Sequence, residues 1–85
     1  MKLEAKTKSF KTNFYKCDSQ YDSEYTFHFR LDYIDKINGV YQKEELQAEI
    51  SESVIKEYSV PEIHKKISEC LWTNKKIDGI KIVYP

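Results

Sequence analysis

The sequence predicts an α+β domain: an antiparallel three-stranded meander, one C-terminal helix packed on one of its faces, and a short final strand, in the order βββαβ. Three observations predict it. The runs YTFHFRLDYIDKI (25–37) and VYQKEELQAEIS (40–51) flank Asn38-Gly39, the pair preferred in two-residue hairpin turns because both central residues must take positive φ. Within the first run Phe27, Phe29 and Leu31 alternate with His28, Arg30 and Asp32, the period of a strand with one buried face. Further on, Ser59-Val60-Pro61-Glu62 is a capping box, and Ile63, Ile67, Cys70 and Leu71 follow it at helical spacing.

Taken in order, residues 6–16 read as strand one. Phe10, Thr12 and Phe14 lie on one face, with Leu3, Ala5 and Tyr15 on the other. The segment CDSQYDSE (17–24) supplies a turn through its Asp and Ser side chains, so strand one pairs antiparallel with the first arm of the hairpin. A two-residue turn at Asn38-Gly39 sets Ile37 opposite Val40. It then sets Leu31 opposite Leu46, Phe29 opposite Ala48 and Phe27 opposite Ile50, all on one face. The other face pairs His28 with Glu49, Arg30 with Gln47, Asp32 with Glu45 and Ile34 with Lys43. The segment ESVIKEY (52–58) fits both a helical and an extended pattern, and is read as an irregular extension of the hairpin's second arm. The helix runs from the capping box to about Asn74. Asp78-Gly79 turns the chain into Ile80–Tyr84, and a right-handed return sets that strand parallel to strand three or to strand one.

Eighty-five residues, 40% of them hydrophobic and 33% charged, make one domain over 1–85 that can bury a core. Formal net charge is +0, but the charge is segregated. Residues 1–17 hold five Lys against Glu4, residues 18–62 hold four basic against eleven acidic groups, and residues 63–85 hold five Lys against Glu69 and Asp78. A neutral chain with an acidic middle disfavours general nucleic-acid binding. Thirteen of the fourteen basic residues are Lys, a bias that AT-rich codons produce and that fits a low-GC bacterium or its phage. No apolar run approaches the ~18 residues of a membrane span, and MKLEAKTK lacks a signal-peptide apolar region. The expected location is therefore the cytoplasm, with Cys17 and Cys70 as reduced thiols.

Several groups of residues could carry chemistry. His28, Arg30 and Glu49 share the outer face of the hairpin, and the trio resembles that of the small microbial ribonucleases, in which a Glu base, a His acid and a phosphate-holding Arg act on an antiparallel sheet. The resemblance covers three residues, and those enzymes place their helix before the sheet. An ordinary solvated strand face explains the same residues, so no catalytic residue is assigned. Aromatics alternate with Lys in FKTNFYK (10–16) and recur at Tyr21, Tyr25, Tyr33 and Tyr41, as on sheets that stack bases; Asp32, Asp35, Glu44, Glu45 and Glu49 beside them repel phosphate. Cys17 and Cys70 lack the spacing of a zinc site, no Gly-rich phosphate loop is present, and no metal or cofactor is expected. Cys70 reads as core, His64 as a surface residue, and Trp72 as either a core edge or an interface anchor.

The expected function is a non-enzymatic protein–protein interaction module, monomeric or homodimeric, with an unidentified protein partner and no membrane role. Its acidic hairpin face would engage a basic partner through Arg30, Asp32, Glu44, Glu45 and Glu49, with Trp72 as a further anchor. In size and charge it resembles the small inhibitors encoded by phages of low-GC bacteria. A small nucleic-acid-binding sheet domain is the alternative, and a small ribonuclease comes third.

Overall fold

The computed structural model describes residues 3–19 and 24–84. Its order is α1 (Leu3–Lys6), β1 (Phe10–Ser19), β2 (Glu24–Ile34), β3 (Tyr41–Ser51), α2 (Glu52–Glu57), α3 (Val60–Thr73) and β4 (Ile80–Val83). The four strands form one antiparallel sheet in the order β1-β2-β3-β4. The expected α+β class, the β1–β3 meander and the later helix and strand are all present. The centre of the expected turn, residues 20–23, lies outside the described residues, while Cys17–Ser19 and Glu24 belong to the flanking strands.

The inner face carries the core. Phe29, Leu31, Leu46 and Ile50 of the sheet are fully buried against Ile63, Ile67 and Leu71 of α3, as is Leu3 of α1. Each such side chain contributes about 1.5–3 kcal/mol relative to exposure. The capping box forms as the sequence reads: the Glu62 backbone N–H donates to Ser59 Oγ, and the Glu62 carboxylate accepts from the Ser59 backbone N–H. Asn74 ends α3 in the left-handed region at φ 58, so the helix boundaries match their signals.

The hairpin register differs from the expected one by two residues. Phe29 faces Leu46 and Phe27 faces Ala48, and the closing pair is Ile34 with Tyr41. The reason lies at Asp35. Its Oδ1 accepts from the backbone N–H of Ile37 at 2.8 Å and of Asn38 at 3.2 Å, while its carbonyl accepts from Gly39 at 2.7 Å. That holds Lys36–Gly39 as a four-residue loop closed by Asp35 N–H to Val40 O at 2.9 Å. Gly39 alone takes positive φ, at 68°, where a two-residue turn needs Asn38 to do so as well. A two-residue shift keeps every side chain on its face, so the core is the expected core with different partners.

Three further elements depart from the sequence reading. The strand begins at Phe10, because Leu3–Lys6 is a helical turn whose last carbonyl accepts from the Lys36 backbone N–H at 2.7 Å. Glu52–Glu57 is helix: Val54 is buried, and Lys56 pairs with Glu52 one turn away at 3.2 Å. β4 runs antiparallel to β3, where a parallel return was expected. α2 and α3 together carry the chain out and back, so Gly79 re-enters beside the end of β3, its carbonyl accepting from Ser51 N–H at 2.9 Å. The right-handed crossover rule applies to parallel strands and therefore does not govern this connection. Gly79 has φ +81, and an added Cβ would stand 2.6 Å from Ser51 Oγ and from Val54 Cγ2, so this close approach needs glycine. No helix among the described residues is long and apolar enough to cross a membrane.

Candidate functional site

With both α2 and α3 on the core side, the other face of the sheet is left open, and its side chains follow from strand parity. Register arranges them in rows. Lys11, Asp32 and Lys43 form one row, and Asn13, Arg30 and Glu45 the next. Lys16, His28 and Gln47 follow, ahead of Asp18, Thr26, Glu49 and Lys81. The unfavourable Asp32–Glu45 pairing implied by the two-residue turn is replaced by Arg30 opposite Glu45 and Asp32 opposite Lys43. The face is a checkerboard of opposite charges where an acidic surface was expected.

At its centre the Arg30 guanidinium donates to Asp32 Oδ2, with Nη2 at 3.0 Å and Nε at 3.1 Å, and Asn13 Nδ2 donates to the same oxygen at 3.0 Å. Asp32 is almost covered, at 9% exposure. Burial on its own raises the Asp32 carboxyl; the Tyr41 hydroxyl and the Arg30 guanidinium outweigh it and hold the group below the usual carboxylate range. The same contact pushes the Tyr41 phenol up. Asp32 Oδ1 makes no contact of hydrogen-bond length among the described residues.

A bulge at Tyr15, where the β1 register steps between Phe14 and Lys16, places the Tyr15 ring on this face, 6.1 Å from the His28 ring. His28 Nε2 lies 2.9 Å from Asp18 Oδ2, which Lys16 Nζ also meets at 3.3 Å. The ribonuclease-like trio is therefore spread out. His28 faces Gln47 and is engaged by Asp18, Arg30 is engaged by Asp32, and Glu49 faces Thr26.

Of the residues expected to meet a partner, Arg30, Asp32, Glu45 and Glu49 share the open face. Glu44 sits opposite Leu31, on the helix side. Trp72 is distant from that group: half-buried, it stacks on Phe10 at 5.7 Å with 21° between the rings. His64, expected at the surface, is half-buried between α3 and β1. Its Nε2 bonds Thr12 Oγ1, its ring meets the Phe14 ring at 4.3 Å, and burial lowers its pKa. Cys70 is buried and Cys17 exposed, both as free thiols. Burial raises both thiol pKa values, so neither is an activated nucleophile.

The sequence reading gave no weight to the hairpin tip. Ile34, Ile37, Val40 and Tyr41 are all exposed there, Ile37 to 80%. Below the tip a groove of ≈ 740 Å³ runs onto the open face past Lys11, Arg30, Asp32 and Tyr41. The signal was present: Ile34 falls among polar residues on its strand face, and Ile37 and Val40 flank the turn. Compared with protein-family models, with curated proteins and with solved structures, the chain gives no match.

Proposed function

We propose that the chain is a non-enzymatic protein-binding module that docks its partner on the open sheet face and the hairpin tip. The observation that carries this reading is the cluster of Ile34, Ile37, Val40 and Tyr41, four large apolar side chains exposed within eight consecutive residues and continuous with the charged face. Exposed apolar groups gathered in one place, beside ordered polar ones, mark interaction surfaces. The Arg30–Asp32 pair adds specificity: Asn13 holds it in place, and the part-exposed Arg30 guanidinium keeps donors for an acceptor that a partner brings. Glu45 and Glu49 supply the acidic contacts to a basic partner, while Lys11 and Lys43 restrict which basic surfaces fit. A rigid module of this size acts on its partner by covering it, as a small inhibitor does.

A second reading has its own support, because Tyr15 and Tyr41 are exposed on this face among Lys11, Lys16, Arg30 and Lys43, the ingredients of base stacking beside phosphate contacts. Affinity capture from source-cell lysate, with and without nuclease, separates the two. A partner retained after nuclease treatment, and lost at least tenfold (about 1.4 kcal/mol) with Ile37→Asp plus Val40→Asp, supports protein docking at the tip. Those substitutions lie in an exposed loop and change folding stability by only about 0.5 kcal/mol each. A partner that nuclease removes, or that binds the double variant equally well, refutes the proposal.

A further inference from the structure

β1 is one edge of the sheet, and among the described residues no strand pairs with its outer side. Ahead of the bulge, Phe10–Phe14 offers five residues of regular edge backbone. Beside that edge, α3 presents Lys65, Ser68, Glu69 and Trp72, a face of the helix distinct from its core face. With Phe10 these residues bound an apolar groove of ≈ 480 Å³ whose floor is the Phe10–Trp72 stack. Phe10 also borders the groove on the open face, which Lys8, Lys11 and Arg30 line. The edge thus has a groove on each side, at the positions where alternate side chains of an added strand fall.

The charge along this edge is mainly positive. Lys8, Lys11 and Lys16 lie along the chain, with no acidic residue between Thr7 and Cys17, and Lys65 and Lys75 rim the helix side against Glu69. A second copy pairing through β1 would bring a second set of the same lysines to the seam, which like-charge pairing disfavours. Lysine on an edge strand guards against self-association, and here it also selects. We propose that the β1 edge takes an extended acidic segment of a protein partner as a fifth strand. Its backbone bonds Phe10–Phe14, its apolar side chains enter the Phe10–Trp72 groove, and its carboxylates, on the opposite side of the strand, meet Lys8 and Lys11. This is strand addition. It deepens the protein-binding reading by naming the chemistry of a partner segment, and it uses a different part of the surface from the hairpin tip.

The probe is a capped hexapeptide of alternating Glu and Val, compared with its Lys–Val counterpart and with a version N-methylated at alternate amides. Trp72 is the single Trp of the chain, so its emission reports the groove directly, and amide chemical shifts locate the contact. The Glu–Val peptide is expected to shift Trp72 emission and the amides of Phe10–Phe14. The Lys–Val and N-methylated peptides are expected to bind at least tenfold more weakly. Lys8→Glu with Lys11→Glu, both at exposed positions, reverses the preference between the Glu and Lys peptides. The Ile37→Asp/Val40→Asp variant binds the Glu–Val peptide unchanged, so failure at the tip and failure at the edge are read separately. Equal binding of all three peptides, amide shifts confined to the hairpin tip, or no binding at millimolar peptide each overturns the inference.

Discussion

The loop at Asp35 decides which residues neighbour one another on the open face, and that decision can be tested. In the alternative register, shifted by two residues, Phe27, Phe29 and Leu31 would face Ile50, Ala48 and Leu46. Those are apolar pairs too, so core packing discriminates weakly between the registers. Two other terms discriminate. The Asp35 carboxylate accepts two backbone N–H groups in the observed loop, each contributing about 0.5–1.5 kcal/mol net. The observed register also places Arg30 opposite Glu45 and Asp32 opposite Lys43, whereas the shifted one places Asp32 opposite Glu45. At about 0.2–1 kcal/mol per cross-strand pair, two favourable pairs gained and one unfavourable pair avoided favour the observed register by about 0.6–3 kcal/mol.

Asp35→Ala therefore removes the loop term and leaves the charge term. The expected result is a loss of about 1–3 kcal/mol by urea unfolding with an unchanged slope, and a Tm lower by several degrees. The Phe29–Leu46 cross-strand contact should persist in nuclear Overhauser spectra. Adding Lys43→Glu and Glu45→Lys to Asp35→Ala inverts the charge term. Arg30 then faces Lys and Asp32 faces Glu in the observed register, while Asp32 faces Lys in the shifted one. That triple variant should show Phe29 against Ala48. A shifted register in Asp35→Ala alone would show that the charge rows contribute nothing, and an unshifted triple variant would refute the competition altogether.

Three further outcomes follow from single contacts. His64 has its pKa lowered from 6.5 by burial between α3 and β1; the unfolded chain then binds the proton more readily, so its contribution to stability is complete above pH 6.5 and is lost as pH falls below it. His64→Gln should flatten the dependence of the urea midpoint on pH between about 5 and 7. Gly79→Ala combines positive φ with a clash at Ser51 and Val54 and should cost about 1–3 kcal/mol; Gly39→Ala meets nothing within 4 Å and should cost only about 1 kcal/mol, so equal losses would refute the close-approach argument. Ser59→Ala removes the Ser59 hydroxyl from the capping box and should cost about 1 kcal/mol, read as the change in thermal midpoint.

What the sequence made legible was what depends on period. Alternation placed Phe27, Phe29, Leu31, Leu46, Ala48 and Ile50 on one face whatever the turn, and helical spacing behind a capping box located α3. What it hid depended on competition between signals of similar size. Asn38-Gly39 pointed to one turn and Asp35 to another, and only the folded loop shows the Asp35 bonds prevailing. Glu52–Tyr58 satisfied two periods at once, and burial of Val54 decided for helix. Leu3–Lys6 is too short to show a period, and its burial comes from α3, distant in sequence.

The candidate site inherits this division. Parity places Arg30, Asp32, Glu45 and Glu49 on the open face in either register, and it places Glu44 on the other. Whether that face is acidic or alternating is a matter of neighbours, and neighbours are set by the loop. In the shifted register Asp32 and Glu45 stand together as a concentrated negative centre that attracts any basic surface. In the observed register each acid meets a base, Lys43 or Arg30, so long-range attraction is weak and binding requires charges that interdigitate with the rows. A module built this way discriminates by fit at short range, and the apolar tip at Ile37 and Val40 supplies affinity that the balanced face does not. Lys43→Glu alone, which leaves the Asp35 loop bonds in place, sets Asp32 opposite a second carboxylate; by gathering like charges it should make partner binding more salt-dependent and less selective, and binding unchanged in both respects would separate the face from the function.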